Sequence, residues 1–351
     1  MADQEIPPPS QLVPLNFASV QTHVPESHLW PNVKELSAAV KLDKRVSLPL
    51  IDLVNDDASE LLGRACEEWG MFQLINHGVS QTLIEEAEEE TRRLFTLPAA
   101  QKMKTLRSPG SLTATGYGMA GISKYHPKLM WHEGFTIIGS PINEAKKLWP
   151  NDYKRFCDVM EEYQRQMKGL GERIIRLILK FLGISEEEMM KLLTSTDESI
   201  GKPYMALRLN SYPPCPDPGQ VMGLAAHTDT SLCTILHQVR SNGLQIFKDG
   251  TGWVPLSPMS GTLVVNVGDL LHILSNGRFT SILHRVMIQE NKEHRFSLAY
   301  FYDPPGDIYI SPYCKPLSDT PQFPLYRSVN VKEYFAIKAK KMGSGLPAIK
   351  I

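Results

Sequence analysis

His227-Thr-Asp229, read with Ser281-Ile-Leu-His284-Arg-Val-Met287 and Arg295-Phe-Ser297 after it, decides how this chain is understood. His227 and Asp229 stand two apart in the strand-like run Gly223–His237, where alternation points both to one face. His284 lies in a second strand-like run. Two imidazoles and one carboxylate are the facial ligand set of non-haem Fe(II), leaving up to three positions open on an octahedral ion. Zinc more often takes His and Cys ligands in a closed tetrahedron. Arg295 follows His284 by eleven residues, and Ser297 shares its face. A guanidinium fork matches a carboxylate in bidentate fashion. With the phenol of Tyr212, these groups suit the distal carboxylate of a 2-oxo acid such as 2-oxoglutarate, with O2 taking the remaining metal position. A lone His-x-Asp is more often a structural pair, and Arg-x-Ser alone means almost nothing; the ordered conjunction carries the reading. His77 reads as a turn or packing residue, and His237 and His272 as structural. The acidic run Glu85 to Glu90 reads as a solvated helix face.

Outward from these motifs, the chain after about Tyr204 consists of short apolar or alternating runs: Ala206–Tyr212, Gly223–His237, Gly243–Phe247, Trp253–Leu256, Thr262–Val267, Ile282–Ile288 and Arg295–Phe301. Asp249-Gly250 and Asn276-Gly277 mark turns. So many strands at this spacing predict a β-sandwich or barrel. The chain before it reads differently. A Pro-rich, polar arm occupies 1–45 and is expected to lie extended over the surface. Strands are predicted at Ser47–Leu53 and Met71–Asn76, and helices at Asp56–Trp69, Ser80–Leu94 and Asp152–Leu182, the last stopped by Gly183. Ser185 and Glu188 form a capping box for a further short helix. Residues 107–125 read as loop. The expectation is a mainly β fold with flanking helices. Residues 1–203 would pack on the barrel, 204–305 would form the catalytic core, and 306–351 a C-terminal segment with a helix.

Composition sets limits on function. The chain has 351 residues, 42% hydrophobic and 21% charged, with a formal net charge of -1. That describes an ordinary globule with no basic field for nucleic acid and no stretch suited to a membrane. The five cysteines are scattered without a C-x-x-C pair, which fits a reducing compartment better than a disulfide scaffold. No signal-peptide pattern opens the sequence. A cytoplasmic location and a monomer are expected.

The motifs match a known family. The chain resembles plant 2-oxoglutarate/Fe(II)-dependent dioxygenases over nearly its whole length. The landmarks are Pro49-Leu-Ile-Asp-Leu53, Trp69-Gly-Met-Phe-Gln-Leu-Ile-Asn-His-Gly78, Tyr212-Pro-Pro-Cys215, Gly243-Leu-Gln-Ile-Phe247 and Val264-Val-Asn-Val-Gly-Asp269. The resemblance implies a double-stranded β-helix (jelly-roll) core. It also implies iron on His227, Asp229 and His284, and 2-oxoglutarate on Arg295, Ser297 and Tyr212. O2 would be the second cosubstrate and ascorbate the reductant. Gly116-Tyr-Gly118, Met130-Trp-His-Glu-Gly-Phe-Thr-Ile-Ile-Gly-Ser-Pro141 and Lys147-Leu-Trp-Pro150 are similar to the branch that hydroxylates gibberellins at carbon 3. A hydrophobic acid such as a gibberellin is thereby implied as substrate. Tyr117, Lys124, Met130, Trp131, Phe135, Phe301 and Tyr302 are candidate lining residues, each with plain core packing as its competing reading. Gly121 and His132 depart from that branch, which commonly carries a basic residue and a Ser there; Lys124 is the nearby cation. Oxidation at another carbon, another substrate (a diterpenoid, flavonoid or indolic compound) and a non-catalytic jelly-roll binding protein are the alternatives.

Overall fold

A computed structural model describes residues 14–20, 22–31, 33, 47–107, 115–193, 205–239, 241–290, 293–314, 323–341 and 343–351. The Pro-rich opening at 1–13, and 108–114 of the stretch read as loop, lie outside the described residues.

The first half supplies β1 (Leu50–Asp52), α1 (Ala58–Glu68), β2 (Met71–Ile75), α2 (Gln81–Phe95) and α3 (Ala99–Met103). It continues with β3 (Gly116–Tyr117), β4 (Glu133–Ile137), α4 (Ile142–Leu148), α5 (Lys154–Phe181) and α6 (Glu186–Leu193). Then come β5 (Ala206–Tyr212), β6 (Met222–His227), β7 (Cys233–Val239), β8 (Leu244–Lys248), β9 (Gly252–Pro255) and β10 (Leu263–Val267). Helix α7 (Asp269–Leu274), β11 (His284–Met287), β12 (Arg295–Tyr302), β13 (Tyr309–Ile310), β14 (Val329–Asn330) and α8 (Val331–Lys340) complete the chain.

Local chemistry fixes the helix ends. Ser80 Oγ accepts from Leu83 N at the start of α2 (3.4 Å). Ser185 and Glu188 exchange the two bonds of a capping box ahead of α6. Gly183, at φ 74°, ends the turn after α5. Helix α5 buries Phe156, Met160, Tyr163, Met167, Ile174 and Ile178, one stripe at helical spacing.

Two sheets face each other. Among the described residues, the larger has eight strands in the order β1-β2-β10-β7-β12-β5-β4-β3, and the smaller has four, β6-β11-β8-β9. From β5 to β12 the chain passes back and forth between them, which makes a jelly-roll, the double-stranded β-helix. β1 and β2 extend the large sheet beside β10, and β4 and β3 extend it beside β5.

Strand parity divides the large sheet into an outer, helix-covered face and an inner face. On β12, Phe296, Leu298, Tyr300 and Tyr302 join the main apolar core, while Arg295, Ser297, Ala299 and Phe301 line the central cavity. On β5, Leu207 and Leu209 point outward, and Arg208, Asn210 and Tyr212 line the cavity.

Three expectations change. The run Gly223–His237 is two strands, because the chain crosses from the small sheet to the large one at 228–232. Asp249-Gly250 turns the β8–β9 hairpin, but Asn276-Gly277 closes α7, Gly277 N donating to His272 O (2.9 Å). Strand β4 was not expected, since all five of its residues are buried and no polar alternation marks it. In the arm, the described part folds into two short 3-10 turns, Phe17–Ser19 and Glu26–His28. It lies against 129–131: Trp30 Nε1 donates to Leu129 O (2.8 Å), and Phe17 meets Trp131 edge-on. Among the described residues, no helix is long and apolar enough to cross a membrane.

Candidate functional site

His227 ends β6 and His284 begins β11, directly paired across the small sheet. Asp229 is not on the strand. It sits in the crossing turn, and the turn rather than strand alternation aims its carboxylate at the histidines. The candidate ligand atoms of the three residues lie within 4.8 Å of one another. Each histidine Nε2 is 3.8 Å from Asp229 Oδ1. His227 Nδ1 is 2.8 Å from Ala225 O, and His284 Nδ1 is 3.1 Å from Ile282 O. A carbonyl only accepts, so each Nδ1 carries the hydrogen and each Nε2 keeps its lone pair for a cation.

Electrostatics agree with that tautomer. Burial, and then the facing His284, press the His227 pKa down to about 3. Burial alone would raise Asp229, but His284, His227, Thr234 and Asn266 together hold its carboxyl below the usual range. Asn266 Nδ2 donates to Asp229 Oδ2 (3.1 Å). The donor set is two imidazoles and a carboxylate on the cavity wall, which fits a divalent ion with open positions.

The crossing turn is tethered from behind. Asp269 N donates to Asp229 O and Leu270 N to Thr230 O, so the start of α7 satisfies the turn's carbonyls. Lys338 of α8 donates to Thr228 O (2.8 Å), Thr228 Oγ1 (3.0 Å) and Asp269 Oδ2 (2.6 Å). Tyr334 OH and Ser281 Oγ also donate to the Asp269 carboxylate.

Arg295 lies opposite Tyr212 in the β12–β5 register, its guanidinium 4.8 Å from that ring. Its Nη2 donates to Gln238 Oε1 (3.2 Å), while Nε and Nη1 are buried and have no hydrogen-bond partner among the described residues. Ser297 and Tyr212 line the same cavity. Two orphaned donors on a planar fork fit an incoming carboxylate.

The cavity holds about 510 Å³ and is mostly apolar. Of the candidate lining residues, Lys124 and Phe301 border it. Tyr117, Met130, Trp131, Phe135 and Tyr302 do not, and parity explains most of this. Phe135 faces α5 and meets Phe156 edge-on. Tyr117, paired with Phe135, donates its OH to buried Glu133. Tyr302 packs against Gly171 of α5. Met130 Sδ accepts from Ala225 N, and Trp131 Nε1 donates to Pro213 O (3.0 Å). His132 is fully buried behind the mouth, its Nε2 accepting from Ala120 N (3.1 Å).

Sequence reasoning missed Arg107, Arg208, Asp303 and the α8 residues Phe335 and Lys338, all on the cavity wall. Arg208-Leu-Asn-Ser-Tyr212 did carry a signal, since polar residues alternate on an otherwise apolar strand. Nothing in the sequence brings α8 to the cavity.

Comparison with known proteins agrees with this geometry. The model of the 2OG-Fe(II) oxygenase superfamily matches residues 203–304. That of the non-haem dioxygenase in morphine synthesis N-terminal region matches 48–155. Gibberellin 3-beta-dioxygenase 1 of Pisum sativum is 44% identical over 340 residues, 96% of this chain and 89% of that protein. Gibberellin 3-beta-dioxygenase 1 of Arabidopsis thaliana is 44% identical over 338 residues, 95% of this chain and 92% of that protein. The crystal structure of JOX2 in complex with 2OG, Fe and JA superposes with a TM-score of 0.76 at 30% identity, covering 94% of this chain and 93% of that one. The rice dioxygenase for auxin oxidation shares the fold, with a TM-score of 0.68 at 24% identity over 87% of this chain and all of its own (100%). Fold, ligand geometry and relatives converge: the chain belongs to the 2OG-Fe(II) oxygenase superfamily and is a plant-type Fe(II)/2-oxoglutarate-dependent dioxygenase.

Proposed function

We propose that this enzyme hydroxylates gibberellins at carbon 3, on the β face, coupled to oxidative decarboxylation of 2-oxoglutarate. The observation that carries the reading is similarity to gibberellin 3-beta-dioxygenases at 40–44% identity over at least 95% of the chain, the regions around the cavity mouth included. In this reading His227, Asp229 and His284 hold Fe(II), and Arg295, Ser297 and Tyr212 hold the distal carboxylate of 2-oxoglutarate. Iron and 2-oxoglutarate bound there, with O2, supply the oxidant that replaces C–H by C–OH and leave succinate and CO2; ascorbate keeps the metal reduced. The protein contributes two imidazoles and a carboxylate as ligands, a fixed guanidinium fork for the cosubstrate carboxylate and a mostly apolar cavity.

The cavity wall supports an acidic substrate. Arg208 is 6% exposed, and its hydrogen bonds go to the neutral acceptors Asn210 Oδ1, Thr136 Oγ1 and Gly118 O. Burial, and then the nearby Arg107, lower its pKa to about 9. Gly134 makes room for it, since a Cβ there would come within 2.3 Å of Arg208 Nη2. A buried cation ringed by neutral groups favours an anion arriving beside it. Lys124 is a further cation lining the cavity. Gly121 leaves open space there, a Cβ meeting nothing within 4 Å. That space favours a second reading, in which the same chemistry acts on another carbon or another hydrophobic acid.

The further parts of this reading are a monomer in the cytosol, with no nucleic-acid or membrane partner. The chain divides at about 203 and 305 into a packing region, a chemical core and a C-terminal segment. The test is Fe(II) enzyme prepared without oxygen, then supplied with 2-oxoglutarate, ascorbate, O2 and a gibberellin mixture, with products read by mass spectrometry. A 3β-hydroxylated product matching standards is expected. Succinate released with no gibberellin product would overturn the substrate assignment.

A further inference from the structure

The inner face of β12 does not stop at Phe301. Continuing the alternation Arg295, Ser297, Ala299, Phe301 by one step reaches Asp303, which also lines the cavity. Asp303 is 1% exposed, and its Oδ1 has no hydrogen-bond partner among the described residues. No ion pair to it is formed among the described residues, and it stands outside the candidate metal cluster. It lies at the metal end of the strand: Thr234, opposite Phe301 in the register, hydrogen-bonds Asp229. Burial, and then the charge of Asp229, push the Asp303 carboxyl up to about 8. A carboxyl group at this place can accept a hydrogen bond and, carrying its proton, donate one. The Leu232 backbone N–H donates to the same carboxyl group, so Oδ1 is the atom left to complete; a buried polar atom without a partner is costly, and such atoms concentrate where a ligand completes them.

We propose that Asp303 is a specificity-determining residue that hydrogen-bonds a hydroxyl, carbonyl or carboxyl oxygen of the substrate close to the carbon being oxidised, and so selects which C–H faces the metal. This rests on the gibberellin reading of the same cavity. A gibberellin suits it, because oxygen functions of its A ring lie near carbon 3. Arg295, about eight residues along the strand or roughly 26 Å away, would hold the cosubstrate, so the two polar groups of one strand face would serve different molecules.

The test compares Asp303→Asn and Asp303→Leu with the parent enzyme. Asparagine keeps a donor and an acceptor; leucine keeps the volume and loses both. The readouts are the gibberellin Kd by calorimetry without oxygen, the ratio of hydroxylated product to succinate, product regiochemistry and the 2-oxoglutarate KM. For Asp303→Leu we expect gibberellin binding about tenfold weaker, a lower product-to-succinate ratio and a shifted product pattern, with the 2-oxoglutarate KM within about twofold of the parent. Asp303→Asn should recover most of the coupling. An Asp303→Leu enzyme that binds gibberellin and distributes product like the parent overturns the inference alone. If Asp303→Leu does not fold, Asp303→Ala takes its place with the same readouts: weaker gibberellin binding with a shifted product pattern supports the role, and parental binding and products overturn it. A parent enzyme that neither binds nor oxidises any gibberellin removes the function and this inference together.

Discussion

Lys338→Met should loosen the turn that carries Asp229, although Lys338 is outside the proposed metal ligands. Its ammonium makes three hydrogen bonds, two to Thr228 and one to the Asp269 carboxylate, and the side chains of Lys338 and Asp269 are 9% and 1% exposed. Methionine keeps the length and removes the charge. Asp269 would retain Tyr334 and Ser281 as donors, but its carboxylate would lose its cation. Breaking a buried pair from one side costs about 3–5 kcal/mol. At roughly 2.1 cal/mol/K per residue, 351 residues unfold with an entropy of about 0.7 kcal/mol/K. The expected fall in Tm is therefore about 4–7 °C. Groups that orient a metal's ligands are typically worth about 10–100-fold in metal affinity, so Co(II) or Fe(II) binding should weaken by that order. The assay is thermal unfolding with and without metal, then metal titration, on Lys338→Met, Asp269→Asn and the double variant. The two single changes should be strongly non-additive. A Tm within about 1 °C of the parent together with metal binding within about twofold would refute the tether.

His227→Ala should abolish hydroxylation and metal-dependent stabilisation together; product formed at near-parental rates would remove iron from this site. Arg295→Leu deletes both orphaned donors and should raise the 2-oxoglutarate KM by about 100-fold or more, with saturating activity largely kept; an unchanged KM would end the proposed cosubstrate role. His132 has a folded pKa lowered by burial from 6.5 to about 3. Between those values the unfolded chain takes up a proton that the folded chain refuses. The stability linked to His132 is thus complete above pH 6.5 and drains as pH falls, by about 1.4 kcal/mol per unit. His132→Asn should therefore lose about 2 kcal/mol less than the parent between about pH 7.5 and about pH 5, measured by denaturant unfolding. Equal losses would show that His132 does not carry this linkage.

The chemistry was more legible in the sequence than the substrate cavity. His227, His284, Arg295 and Ser297 lie on strands whose alternation and order could be read directly. Asp229 comes beside the histidines by a route its spacing does not suggest: the spacing reads as strand parity, but a sheet-to-sheet crossing provides the aim. Aromatic residues near the family landmarks were poor guides to the cavity. Tyr117, Phe135 and Tyr302 sit on the outer face, because a single step of parity separates a wall from a core. Asp303 was invisible as a site residue since the run read as strand stopped two residues short of it. Contributions from α8 were hidden more deeply, because no local pattern tells where a distant helix will dock.

Helix α8 also bears on how this enzyme is assembled and altered. Strands β5 to β12 look like a module that could be cut out between about residues 203 and 304, where the family match ends. Yet such a fragment would lack the cavity-lining residues Phe335 and Lys338, which follow it in sequence, and Arg107 and Lys124, which precede it. The chemical centre is thus a shared interior, closed by sequence that precedes and follows it. Grafts or truncations that respect only the strand core would yield a barrel with an open flank, whereas exchanging the enclosing segments as a matched pair offers a route to new substrates on unchanged chemistry.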